Sequence, residues 1–180
     1  MCIIGLKKTA QAVENSPEIL ELDELYWFIN KKGDSKTREN VYVITMVRRE
    51  PRQIVGFRVT EEKTSVKIQE IVDSGPEAEK YCTDGYNGYL DVVFPGKHVR
   101  NIHNKNDTFT VEGINADLRH FIPLLRRRCR CFARSIETLT AVIDVFSEAY
   151  NKFGFAKSEY RKNNPTRYPP FGLVDSLFER

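Results

Sequence analysis

A carboxylate set inside a long apolar run is the feature that most constrains how this chain folds. Asp23 lies within the run ILELDELYWFI (19–29), whose branched and aromatic residues are typical of a strand. An isolated charge buried in such a strand is strongly disfavoured. The fold must therefore bring compensating groups to Asp23, and a divalent cation shared with other carboxylates is the simplest compensation.

The order of the predicted elements indicates a mixed α/β sheet. Three strands joined by short polar links favour an antiparallel meander, and a fourth strand reached through a helix favours a parallel arrangement with the first. Pro123 lacks an amide donor and is expected to kink or end the helix that begins near Val111. The predicted strands lie at 18–29, 41–47, 54–60, 80–84 and 98–102, and the other predicted helices at 64–72 and 135–153.

This order matches the ribonuclease-H-like fold, a mixed sheet flanked by helices. We expect one such domain at 18–153, because a 180-residue chain is long enough for one compact domain. Residues 1–17 are predicted to form a short entry segment. Residues 154–180, rich in Pro, Arg and Asn, are predicted to form an extended arm.

Composition is typical of a soluble globular protein, with 41% hydrophobic and 29% charged residues. No apolar stretch approaches the ~20 residues that a membrane span requires, and the N-terminus has no signal-peptide pattern. The sequence therefore predicts a cytoplasmic, nucleoid-associated protein with no membrane partner. Reduced thiols are expected, since no CxxC pair occurs among Cys2, Cys82, Cys129 and Cys131.

Charge is distributed unevenly along the chain. Residues 1–90 carry 13 Lys and Arg against 15 Asp and Glu, whereas residues 91–180 carry 15 against 10. The segment 118–134 contains six arginines and no acid. A run of this kind is often a solvated helix face, but the lack of acidic neighbours favours a phosphate-rich partner. The arginines are Arg119, Arg126, Arg127, Arg128, Arg130 and Arg134.

Two further acids complete a candidate metal site with Asp23. Asp84 closes the predicted fourth strand, and Glu112 stands at the start of the predicted helix VEGINADLRHF. Carboxylates suit Mg²⁺, which prefers oxygen ligands. Phosphodiester cleavage requires an activated nucleophile and a stabilised leaving oxygen. Two divalent ions roughly 4 Å apart provide both. We therefore expect two Mg²⁺ ions, for which Mn²⁺ can substitute, and phosphodiester chemistry on DNA.

Each acid also has a structural interpretation. Asp23 in ELDEL would be one of three solvent-facing acids if its strand lay at the sheet edge. Asp84 before Gly85 is a common turn residue, and Glu112 near a helix start complements the helix dipole.

The segments ELDELYWF, YCTDGYNGY and VEGINADLRHF, followed by RCRCFARSIETL, resemble the transposases of the IS-one family of insertion sequences. The resemblance runs from about residue 19 to 153. It implies a ribonuclease-H-like core in which Asp23, Asp84 and Glu112 form an Asp-Asp-Glu triad that binds the metal and performs catalysis. It further implies cleavage at element ends and strand transfer into target DNA, with homo-oligomers that handle two ends together.

The predicted DNA contacts follow from the same region. Asn115 and Arg119 fall where the family has polar and basic residues after the glutamate. Because residues three and seven apart share a helix face, both should lie on the face of Glu112. His120 and the arginines of segment 118–134 are expected to bind the DNA backbone.

The chain departs from the family at its N-terminus, where members resemble a zinc finger and a helix-turn-helix fused to the core. Here only residues 1–17 precede the core, so the resemblance implies a second-frame product or truncated copy, with an upstream-frame finger protein as a partner. Two rivals remain open: a ribonuclease-H-like nuclease limited to hydrolysis, and a catalytically decayed remnant that still binds DNA.

Overall fold

The computed structural model describes residues 18–29, 39–102, 107–126 and 131–153. Within these ranges the chain forms a mixed α/β structure with a five-stranded sheet. The predicted flanks 1–17 and 154–180 lie outside the described residues. The elements, in chain order, are β1 (Ile19–Ile29), β2 (Glu39–Arg48), β3 (Gln53–Thr60), α1 (Ser65–Ser74), β4 (Lys80–Thr83), β5 (Lys97–Arg100), α2 (Phe109–Phe121) and α3 (Ile136–Phe153).

The sheet has the strand order β3-β2-β1-β4-β5, which makes β1 the central strand. β1, β2 and β3 form an antiparallel meander, as the short polar links predict. β4 is parallel to β1, as expected for a strand reached through a helix, and β5 is parallel to β4. The alternative in which Asp23 lies on an edge strand is therefore wrong.

The core occupies both faces of the sheet, because the strands carry apolar side chains on both sides. β2 reads VYVITMV, and nearly all of this run is fully buried, as predicted for a central strand. One face packs against α2 and α3, through residues such as Leu25, Val43, Leu118 and Ile143. The other packs against α1, through residues such as Leu22, Ile44, Ile68 and Tyr81.

The two C-terminal helices begin and end close to their predicted bounds. α2 starts at Phe109, two residues before the first position that the periodicity identified, and ends at Phe121. Ile122 is extended, with φ −91° and ψ 108°, because the ring of the following Pro123 disfavours a helical conformation there. None of the helices in the described part of the chain combines the length and apolar character that a membrane span requires.

The lengths of β1 and β4 differ, and this difference opens the sheet beside Asp23. β4 pairs with β1 only as far as Thr83, which lies opposite Leu22. β1 continues to Ile29. From Asp23 onward β1 therefore has no partner on the β4 side among the described residues, and a cleft begins at this point.

Candidate functional site

A cleft of about 560 Å³ lies where β4 leaves β1. Asp23 reaches it from the middle of β1, Asp84 from the residue after β4, and Glu112 from the first turn of α2. Asn115 and Arg119, one and two turns further along α2, line the same cleft. The three acids that the sequence singled out thus face one space, although 89 residues separate the first from the last.

Asp23 is half-buried, and its surroundings disfavour the charged form. Burial raises its pKa above the ordinary value of 3.8, and the negative charges of Asp84 and Glu112 raise it further. A hydrogen bond from Asn115 opposes the rise. The carboxylates therefore repel one another across the cleft, and this is the electrostatic condition that a bound cation relieves.

Asn115 fixes the orientation of the Asp23 carboxylate. Its side chain is 4% exposed, and Nδ2 donates a 2.9 Å hydrogen bond to Oδ2 of Asp23. The Thr45 hydroxyl donates a 2.9 Å hydrogen bond to Oδ1 of Asn115, so both ends of the amide are engaged. The sequence predicted a DNA contact for Asn115, and that role stays a prediction. In the structure its amide is committed to Asp23.

Asp84 forms the turn that one interpretation of its sequence context predicted, and it also lines the cleft. Its Oδ1 accepts a 2.9 Å hydrogen bond from the backbone N–H of Tyr86, which closes a turn of the kind that aspartates favour. Arg100 on β5 holds the same loop by donating to the carbonyl of Gly85 and to Oδ1 of Asn87. The turn keeps Asp84 at the end of β4, facing the cleft.

Glu112 owes its position to Glu21, a residue that sequence reasoning did not select. Glu21 is fully buried, and its Oε2 accepts hydrogen bonds of 2.8 and 2.9 Å from the N–H groups of Thr110 and Val111 at the start of α2. Its Oε1 accepts a 2.7 Å hydrogen bond from Arg49. We call this arrangement the Glu21 clamp. The sequence contained a signal for Glu21, because side chains alternate along a strand and residues 21 and 23 therefore share a face.

Glu24 was also missed, yet it belongs to the tightest acidic cluster in the described part of the chain. Carboxylate oxygens of Asp23, Glu24 and Asp84 lie within 4.8 Å of one another. Glu112 lines the cleft but belongs to no such group. Adjacent side chains on a strand point to opposite faces of the sheet, so the sequence did not predict that the carboxylates of Asp23 and Glu24 lie close together.

The donor set fits a hard divalent cation. All three groups of the tight cluster offer carboxylate oxygens, the ligands that Mg²⁺ and Mn²⁺ prefer. In addition, Oε1 of Glu24 is buried and has no hydrogen-bond partner among the described residues. An unsatisfied buried carboxylate oxygen is costly, and a cation in the cleft would satisfy it.

The predicted basic contacts are distributed around α2 and the segment that follows it. Arg119 is half-buried in the cleft, whereas His120 is exposed and lies edge-on to Phe121. Arg126 and Arg134 are exposed. The remaining predicted contacts, Arg127, Arg128 and Arg130, lie outside the described residues.

The fold and site together define an α/β protein with an acidic cleft beside its central strand and an arginine at the cleft wall. Searches against protein-family models and curated proteins find no match for this sequence.

Proposed function

We propose that this chain is the catalytic domain of a DNA transposase that depends on divalent metal ions. The observation that carries the proposal is the convergence of Asp23, Asp84 and Glu112, from two strands and a helix, on one cleft. Repulsion within that cleft supports a cation site, since Asp84 and Glu112 both raise the pKa of Asp23. Among the described residues, the one group of three metal-ligating side chains that lie close together is Asp23, Glu24 and Asp84, so two of the three proposed triad acids belong to it.

The fold supports the same proposal. A meander of three antiparallel strands, with two further strands parallel to the first and helices on both faces, is compatible with a ribonuclease-H-like fold. The central strand and its parallel neighbour then supply the first two acids, and a helix packed on the sheet supplies the third. This is the placement that the resemblance to IS-one transposases implies.

The residues of the cleft have separate roles in this proposal. Asp23, Asp84 and Glu112 hold a pair of Mg²⁺ ions, for which Mn²⁺ can substitute. When bound, the ions supply activation of the nucleophile and neutralisation of charge on the leaving oxygen. Asn115 keeps the Asp23 carboxylate in one orientation. Arg119 and the exposed Arg126 and Arg134 contact the DNA backbone, which gives affinity without sequence choice.

The reaction has two in-line displacements at phosphorus. In the first, a water molecule loses a proton to solvent as its oxygen bonds to the phosphorus at the element end, the bond to the 3′ oxygen breaks, and the departing 3′ oxygen takes up a proton. In the second, that 3′ hydroxyl attacks a target phosphodiester, loses its proton to solvent and displaces a target 3′ oxygen, which is protonated in turn. Homo-oligomers on DNA are part of the proposal, because two ends must react together.

Asp84→Asn tests the proposal with little structural change. An asparagine keeps the oxygen that accepts from Tyr86 N–H, so the turn after β4 is retained. We expect Mg²⁺- or Mn²⁺-dependent nicking of DNA by the wild type and at least a hundredfold slower nicking by the variant, about the loss seen when one group that stabilises the transition state is removed. DNA binding by gel shift should be equal in both.

Strand transfer separates the proposal from its rivals. A labelled oligonucleotide with a free 3′ hydroxyl should become joined to a target plasmid in the presence of wild-type protein and Mn²⁺. Nicking without joined products would indicate a nuclease. DNA binding without nicking would indicate a decayed remnant.

A further inference from the structure

We propose that Glu24 is an additional ligand of the divalent ion held by Asp23 and Asp84. The inference rests on the metal site of the proposed function and adds to it a fourth acid, outside the Asp-Asp-Glu triad. Its basis is the position of the Glu24 carboxylate, its burial and the state of its two oxygens.

The position of the Glu24 carboxylate is unusual for a strand residue. Neighbouring side chains on a strand point to opposite faces of the sheet, yet oxygens of Asp23 and Glu24 both lie within 4.8 Å of one another and of an Asp84 oxygen. This convergence occurs where β4 ends opposite Leu22, so no β4 residue separates the two carboxylates. Side chains from both faces can then meet at the open edge of β1.

The two oxygens of Glu24 have different surroundings. The side chain is only 4% exposed, and Oε2 lies 3.4 Å from Nζ of Lys63. Oε1 is buried and makes no hydrogen bond to any described residue. The buried Tyr89 hydroxyl interacts with the Glu24 carboxylate, and this contact lowers the pKa of Glu24 against the rise that burial causes. An open, buried carboxylate oxygen beside two other carboxylates is suited to binding a cation.

Lys63 offsets part of the charge of the buried Glu24 carboxylate. Its Nζ lies 3.7 Å from the centre of the Tyr86 ring, and the Tyr86 hydroxyl donates a 2.7 Å hydrogen bond to the Lys63 carbonyl. These contacts keep the ammonium group on the Oε2 side, where it offsets part of the charge. Glu24 itself lines the cleft that Asp23 and Asp84 face.

The affinity for Mn²⁺, measured by electron paramagnetic resonance, tests the inference without measuring activity. We expect Glu24→Gln to weaken Mn²⁺ binding by about tenfold or more, the scale of losing a group that supports a metal site. Glu24→Asp keeps the charge but shortens the side chain, and it should weaken binding by a similar factor. If Glu24→Gln does not fold, as judged by circular dichroism, Glu24→Asp decides the question alone.

Lys63→Met is the matched control. It breaks the same ion pair while leaving the Glu24 carboxylate in place. A ligand role predicts that Mn²⁺ binding is unchanged or tighter in this variant. If Glu24 acts only through its ion pair with Lys63, Lys63→Met will weaken binding as much as Glu24→Gln does, and the inference is then overturned.

The outcomes separate the inference from the proposed function. Wild-type affinity retained in both Glu24 variants overturns the ligand role of Glu24 but leaves the transposase proposal standing if the wild type nicks DNA. Weakened Mn²⁺ binding in the variants, together with a wild type that never nicks DNA, supports Glu24 as a ligand and overturns the transposase. A wild type that binds no Mn²⁺ overturns both.

Discussion

At the scale of single residues, three acids within four residues of β1 have three different environments. Glu21 is fully buried and bound to the start of α2. Asp23 is half-buried and bound by Asn115, whereas Glu24 contacts Lys63 and has one open oxygen. The three side chains carry the same carboxylate group, and only their neighbours distinguish them. Glu21 anchors α2, Asp23 is the predicted triad residue, and Glu24 is the proposed extra ligand.

Asp23→Asn should stabilise the protein near neutral pH. Because burial raises the pKa of Asp23 above 3.8, its charged form is a net cost to the folded state. We expect a gain of about 1 kcal/mol in the free energy of unfolding, a common size for relief of strain at a functional site. The gain is present above the raised pKa and disappears as the pH falls towards 3.8, since the wild-type carboxyl is then protonated as well.

Urea unfolding at neutral and at acidic pH measures this gain. Asp91→Asn is the control, because Asp91 is an exposed acid and its replacement should change stability little. A wild type that is more stable than Asp23→Asn at neutral pH would contradict the burial argument.

At the scale of elements, the Glu21 clamp joins the central strand to the helix that carries Glu112. A helix start leaves backbone N–H groups without partners, and a carboxylate is favoured there. Glu21 satisfies two of these groups and also binds Arg49, which in turn donates to the carbonyl of Asp107 just before the helix. The clamp thus determines where the first turn of α2 lies relative to Asp23.

Glu21→Ala should destabilise the protein by about 3 kcal/mol or more, because it leaves Arg49 and two buried N–H groups without their acceptor. The matched control is Glu18→Ala. Glu18 accepts a 2.7 Å hydrogen bond from Arg48 but is a third exposed, and its removal should cost less than about 1 kcal/mol. Thermal and urea unfolding of the two variants give the comparison, and equal destabilisation would show that the clamp has no special importance.

At the scale of the whole molecule, opposite charges lie in neighbouring regions. The acids line the cleft, and Arg119 forms part of its wall. Arg126 and Arg134 are exposed at either side of the segment 127–130. In the proposed function, the DNA backbone meets Arg119 at the cleft wall, and the scissile phosphate needs cations to approach the carboxylates.

The double variant Arg126→Ala, Arg134→Ala should weaken DNA binding to a similar extent on all sequences, because backbone contacts carry no sequence information. The slope of log affinity against log salt should fall by about 1 for each arginine that no longer neutralises a phosphate. Fluorescence anisotropy over a salt series measures both effects. Arg58→Ala is the control, since Arg58 is paired with Glu70. An unchanged slope in the double variant would remove these two arginines from the DNA interface.

The sequence by itself determined the element order, the antiparallel meander, the parallel fourth strand and three of the four acids that line the cleft. These features follow from local periodicity, from connection lengths and from the cost of an acid in an apolar strand. Such information is contained within short stretches of chain, and the structure agrees with it at β1, β4 and α2.

Only the tertiary structure decided the contacts of Glu21, Glu24 and Asn115. The helix N–H groups that Glu21 binds lie about 90 residues away along the chain, and the partners of Asn115 lie on β1 and β2. Glu24 joins Asp23 because β4 ends early, and strand alternation alone predicts that they diverge. Contacts of this kind depend on where strands stop and helices start in space, and no local pattern of residues contains that information.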